Sequence, residues 1–339
     1  MRKLERRFQQ HVTGLLLIVL GALPVTGRAE PSFTDKRGTL SVVFENDTFA
    51  GTDRNYTNGL NLFYLSGPNG APAPVKWVAR HGMRADENDT VFAGIGVGHN
   101  IYTPADTQAT QALPDQHPYA GWLHLSFLGA VDSGRTLDTL VLDLGVVGPA
   151  AGGKWVQNNF HDLVGADEAK GWDNQIRNEP AFVLTYDRKW RAIAEWRRSG
   201  FGVDLIPNAG FSLGNVLTQA SAGLTLRLGQ DLANDYGPPR VRPALAGAGF
   251  FTPRDKFSWY LFAGANGRAV AYNIVLDGNA FREGGPSVDR RTFVAEAQAG
   301  LVLQAGRWQT AFTVVGRTDE FHGQGKQELF GAIAISMKL

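Results

Sequence analysis

The sequence predicts an all-β protein, a transmembrane antiparallel up-and-down β-barrel of about twelve strands with a short helix in an extracellular loop. Three observations lead there. Segment after segment alternates apolar and polar residues with period two. Beyond residue 29, no apolar run reaches the ~20 residues that a membrane-spanning helix needs. The 339-residue chain has no cysteine, so a secreted form must be stabilised by its fold alone.

The export signal comes first in the chain. Arg2, Lys3, Arg6 and Arg7 form a basic start, Val12 to Val25 is apolar, and Gly27-Arg28-Ala29 offers a small residue at each end of a cleavage triplet. This pattern reads as a secretory signal peptide over residues 1–29, leaving 30–339 as one barrel domain. The composition, with 41 Gly, 20 Phe and 8 Tyr, suits strands and turns. A net charge of +1 provides no field for nucleic acid, which is excluded as a partner.

The strands follow from the alternation. At the end of the chain Leu329, Gly331, Ile333, Ile335, Met337 and Leu339 share one face, and Phe330, Ala332, Ala334, Ser336 and Lys338 the other. Ala220, Ala222, Leu224, Leu226 and Leu228 likewise oppose Gln219, Ser221, Gly223, Thr225 and Arg227. Leu123, Leu125, Phe127 and Val131 oppose Trp122, His124 and Ser126. One apolar and one mixed face suits a wall between lipid and a polar lumen. Such segments lie near 39–47, 57–66, 90–100, 119–132, 136–147, 179–190, 199–212, 216–229, 257–276, 292–304, 307–319 and 327–339. With both termini in the periplasm, the gaps 48–56, 101–118 and 148–178 fall outside the cell. The gaps 133–135 and 213–215 read as short inner turns, 67–89 and 191–198 as inner too, and 230–256 and 277–291 as outer loops. The 67–89 stretch is longer than an inner turn requires, and its sequence offers no reason for the length.

Three polar clusters mark the outer rim. Asn46 and Asp47 end an outward strand and Thr57 begins its return, so they meet at one height. Their carboxylate, amide and hydroxyl oxygens can hold a hard cation such as Ca²⁺, or simply form a polar hairpin with Asx turns. In the second cluster, around His117-Pro118-Tyr119-Ala120-Gly121-Trp122, the aromatics read as members of the interface belt. In the third, residues 153–164 lack proline and read as a short helix that puts Gln157 and His161 at i and i+4 on one face. Asp167 follows shortly after. An imidazole in such a loop is suited to take a proton from water.

These residues resemble the outer-membrane lipid A 3-O-deacylase family. The likeness runs from Glu45-Asn46-Asp47 to the last strand. It is densest at Asn46-Asp47 with Tyr56-Thr57-Asn58-Gly59, at Pro118-Tyr119-Ala120-Gly121, and from Gly148-Pro149 through Gln157 and His161 to Gly171-Trp172-Asp173-Asn174-Gln175. The resemblance implies a twelve-stranded barrel whose site lies between the wall and a helical outer loop. It implies Ca²⁺-dependent hydrolysis of the ester of the 3′-acyloxyacyl group, with His161 as general base and Gln157 and Thr57 in the catalytic site. Asn46, Asp47 and Asp167 would serve the cation, although some members carry Glu where Asp167 stands. Basic residues used by some members in the second outer loop have no match in Thr107-Gln108-Ala109-Thr110-Gln111. The protein is then expected in the bacterial outer membrane as a monomer, its site facing the outer leaflet and its partner lipid A or lipopolysaccharide.

Two other classes compete. A phospholipase A-type barrel would need a serine beside His161 or His124, and Ser126 lies too far down its strand to serve His161. A porin or adhesion barrel would carry the polar rim as decoration.

Overall fold

The computed structural model describes residues 35–47, 55–238, 249–325 and 327–339; the expected signal peptide lies outside them. The strands are β1 Thr39–Asn46, β2 Asn55–Leu65, β3 Thr90–Thr103, β4 Ala120–Asp132, β5 Thr136–Val147, β6 Glu179–Trp190 and β7 Ala194–Arg198. They continue as β8 Phe201–Gly214, β9 Leu217–Gln230, β10 Arg254–Asn273, β11 Phe293–Gly306, β12 Trp308–Arg317 and β13 Glu328–Lys338. Each pairs antiparallel with its neighbour, β1 closes on β13 (Val43 opposite Ala334), and β6 pairs directly with β8 (Tyr186 opposite Phe211). Twelve strands thus form a closed ring. The short β7 hangs outside it, joined to β8 through a tight turn with Ser199 and Gly200 at positive φ.

Alternation sets which side each residue faces. On β4, Leu123, Leu125 and Phe127 are exposed on the outer wall while Trp122, His124 and Ser126 are buried inside. In lipid, closure leaves no backbone edge unpaired, which is why this sequence needs the ring.

The lumen is filled rather than open. At the inner end Phe63, Phe92, Leu128, Tyr236 and Phe250 form an apolar cluster. Residues 231–238 and 249–253 enter from that end: Tyr236 Oη donates to Asp132 Oδ1, and the Gly249 carbonyl accepts from Thr39 Oγ1 at 3.0 Å. Above them Arg227, 1% exposed, donates to both Asp204 oxygens and to Asp235 at 2.5–2.8 Å. Nearer the outer end Arg317 joins Glu296, Glu320 and Glu328 at 2.7–3.1 Å. Buried charges persist only when paired in this way.

The structure corrects two expectations about the ends. The turn after β8 lies at the outer end, where Asn215 Nδ2 donates to Glu179 at the start of β6. Residues 231–238 and 249–253 lie at the inner end, against Asp132 and Thr39. Strand parity, counted from β1 around the twelve-strand ring with β7 left out, requires both positions. The aromatics of the second polar cluster also differ from the belt reading. Trp122 is 5% exposed and stacks on His124 inside the lumen at 4.1 Å, and Tyr119 is covered by Trp172.

Candidate active site

The third outer loop builds a helix where the sequence places one, α2 at Gly153–Val164. Gly152 and Gly165, at φ of 73° and 72°, bracket it in left-handed conformations that favour glycine. Its buried residues Gly153, Gln157 and His161 recur every four positions and share one face. That face meets the wall from outside. Gly121 and Ile101 both project outward by strand alternation, and a Cβ added at Gly121 would lie 3.2 Å from the Gly153 backbone. Ile101, Tyr119, Ala169 and Trp172 pack as one apolar cluster with Val156 of the helix against them. The opposite face exposes Trp155 at 71% and Leu163 at 82%, with Phe160 at its edge.

His161 is 6% exposed, and its Nδ1 lies 2.5 Å from the backbone oxygen of Asp167. A carbonyl only accepts, so Nδ1 carries the proton, and Nε2 is the nitrogen that offers a lone pair in the neutral ring. Asp167 acts here through its main chain, while its carboxylate is exposed. Gln157 is 3% exposed, and its Oε1 accepts from Trp172 Nε1 at 2.7 Å. That bond fixes the amide's orientation and leaves Nε2, a buried donor without a protein partner, at the other end.

Along the rim, the register brings Asn46, Asn58, Ile101 and Gly121 to one level on four successive strands. Asn46 and Asp47 are buried at the end of β1. Thr57 sits at the β2 bulge, where its Oγ1 is 2.7 Å from Thr103 Oγ1. The donors at Asn46, Asp47 and Thr57 are all hard oxygens, which suits Ca²⁺, with one carboxylate among them. Among the described residues no three His, Cys, Asp or Glu side chains gather as a metal cluster.

The remaining sequence candidates are placed elsewhere. His117 stacks on Tyr102 at 5.4 Å, its Nδ1 2.7 Å from the Pro118 oxygen. Ser126 donates to Asp143 at 2.5 Å inside the lumen, and His124 Nε2 is 4.0 Å from the same oxygen. Here the serine faces the carboxylate and not the imidazole, so the Ser-His-Asp order of a nucleophilic triad is not formed. The second outer loop, without lysine or arginine, is fastened to the third: Gln108 Nε2 donates to the Glu168 oxygen and Asn174 Nδ2 to the Thr110 oxygen. Trp172 is the main site residue that the sequence reading did not single out.

The family model described as outer membrane protein LpxR matches residues 15–339. The chain belongs to the LpxR family. LpxR proteins are outer-membrane lipid A 3-O-deacylases, so the chain is an outer-membrane enzyme that deacylates lipid A. The solved structure of LpxR from Salmonella typhimurium has the same fold, at TM-score 0.73 and 22% identity over 89% of this chain and 100% of that one. The β-domain of the Bordetella autotransporter BrkA aligns over 90% of this chain and 100% of its own, at 10% identity and TM-score 0.45. No curated protein matches the sequence.

Proposed function

We propose that this LpxR-family barrel hydrolyses the ester of the 3′-acyloxyacyl group of lipid A, with His161 as general base. The observation that carries the reading is the state of His161. It sits on the wall-facing side of an external helix with Nδ1–H committed to the Asp167 oxygen and Nε2 left as an acceptor. Nε2 takes a proton from water, and the hydroxide adds to the ester carbonyl carbon. The carbon–oxygen bond to the sugar then breaks, the leaving oxygen regains the proton from His161, and the acyl chain departs as a carboxylic acid. Gln157 Nε2, aimed by Trp172, is a preset donor for the oxygen on which negative charge develops. Asn46, Asp47 and Thr57 would hold Ca²⁺, which when bound supplies Lewis-acid polarisation of the ester carbonyl. The exposed Trp155 and Leu163 favour a site reached from the outer leaflet, where a lipid ester is already at hand.

Mass spectrometry of lipid A from cells expressing wild type or His161→Ala, with and without chelator, tests this. Loss of one acyloxyacyl mass is expected only for wild type with divalent cation present. Equal loss in the His161→Ala cells removes His161 from the mechanism, and equal loss under chelation removes the cation.

A further inference from the structure

The long inner segment between β2 and β3 folds into a helix, α1 at Ala73–His81, started by Pro72 and Pro74 and stopped at Gly82. It does not sit beneath the barrel. Val91 and Val131 project outward at the inner ends of β3 and β4, and Ala71 and Ala79 bury them, with Val75 and Met83 packed alongside. A Cβ added at Gly129, also on the outer wall, would stand 3.2 Å from Val75 Cγ1. The helix is therefore clamped to the lipid side of the wall, directly below the exposed Ile95 and Phe127.

Its free face is built unlike a surface that meets only water. Trp77 is 62% exposed and stacks on His81 at 4.8 Å, held further by His81 Nδ1 against the Trp77 oxygen at 2.9 Å. Arg80, His81 and Arg84 are exposed beside it and Lys76 is half-buried. Among the described residues these cations make no ion pair, and the Asp86 and Asp89 carboxylates accept backbone N–H groups within their own turn at 2.7–2.9 Å. An exposed indole on a helix lying against the lipid-facing wall and flanked by cations is the chemistry of the membrane interface.

We infer that α1 docks on anionic phospholipid headgroups of the periplasmic leaflet, with Trp77 seated at the headgroup level and Lys76, Arg80 and Arg84 on the phosphates. The lipid is favoured over a protein partner because the helix continues the lipid-facing band of a wall already in the outer membrane. Each cation beside an anionic surface contributes about fivefold in affinity.

The absence of cysteine makes the test direct. Full-length mature protein carrying His81→Cys, Trp77→Cys or Glu87→Cys is labelled with an environment-sensitive fluorophore. Each is reconstituted into phosphatidylcholine vesicles with or without phosphatidylglycerol. Labels at 81 and 77 are expected to be quenched by headgroup-region nitroxide lipids and shielded from aqueous iodide, and the label at 87 the reverse. Native mass spectrometry should show phosphatidylglycerol retained over phosphatidylcholine, and the Lys76→Glu/Arg80→Glu/Arg84→Glu variant should lose that preference at least tenfold. Iodide access at 81 equal to that at 87 overturns the docking. Shielding that grows with protein-to-lipid ratio assigns the face to a second copy instead. Equal retention of the two lipids by wild type overturns the anionic preference.

Discussion

Trp172→Phe isolates the part of the site that the sequence conceals. Phenylalanine keeps a ring against Tyr119, now 4.9 Å away, but removes the Nε1–H that Gln157 Oε1 accepts at 2.7 Å. Trp172 is 0% and Gln157 3% exposed, so water cannot replace the donor. A buried acceptor left unpaired costs about 1–3 kcal/mol, and that free energy becomes available to swing the amide away from its catalytic pose. At 1.4 kcal/mol per tenfold, the middle of the range is roughly 30-fold in kcat. KM should change little if, as proposed, the amide end that turns away serves the developing charge and not the bound lipid. Purified variants in mixed micelles, with released fatty acid quantified, give both constants. The decisive arm is a double-mutant cycle with Gln157→Leu. If Trp172 acts through Gln157, adding Trp172→Phe to Gln157→Leu should slow the enzyme no further. Full additivity of the two losses, or a Trp172→Phe rate within twofold of wild type, refutes the coupling.

Three further outcomes are expected. Ser126→Ala should retain activity within about twofold while losing about 1 kcal/mol of stability from its bond to Asp143, so loss of turnover would revive a serine nucleophile. Arg227→Met leaves Asp204 and Asp235 buried without their cation and should destabilise the folded barrel by about 3–5 kcal/mol, read from urea unfolding in lipid vesicles; an unchanged midpoint would contradict the paired network. Gly153→Ala puts a Cβ 2.6 Å from Trp172 Cη2 and should lower activity by at least about tenfold, with the barrel still heat-modifiable on gels; normal turnover would show that α2 can shift without harm.

The ring was largely legible because strand alternation is written into consecutive residues. The segments read near 136–147 and 179–190 match β5 and β6, and the glycines beside 153–164 framed α2. The helix α1 had readable marks, with Pro72 and Pro74 at its start and Gly82 at its end, but no local pattern says that it folds back on the wall. From the sequence the 230–256 gap is assigned to the outer end against the parity of its own flanking strands, and Tyr236 and Phe250, both buried, carry no sign of which end they plug. Of the candidate site, the helix that puts Gln157 and His161 on one face could be read from spacing, whereas their partners could not. The Asp167 oxygen on His161 has no side-chain signature, and Trp172 meets Gln157 from fifteen positions away, beyond the end of α2.

The filled bore and the helix seated on the wall's outside together decide how this enzyme meets its substrate. Molecules do not thread through it; they drift in sideways along the leaflet. Turnover should therefore follow the number of substrate molecules per unit area of membrane, and diluting that surface with inert amphiphile should slow the reaction at constant bulk concentration. The released acyl product should leave by the same lateral route, into the leaflet beside the helix.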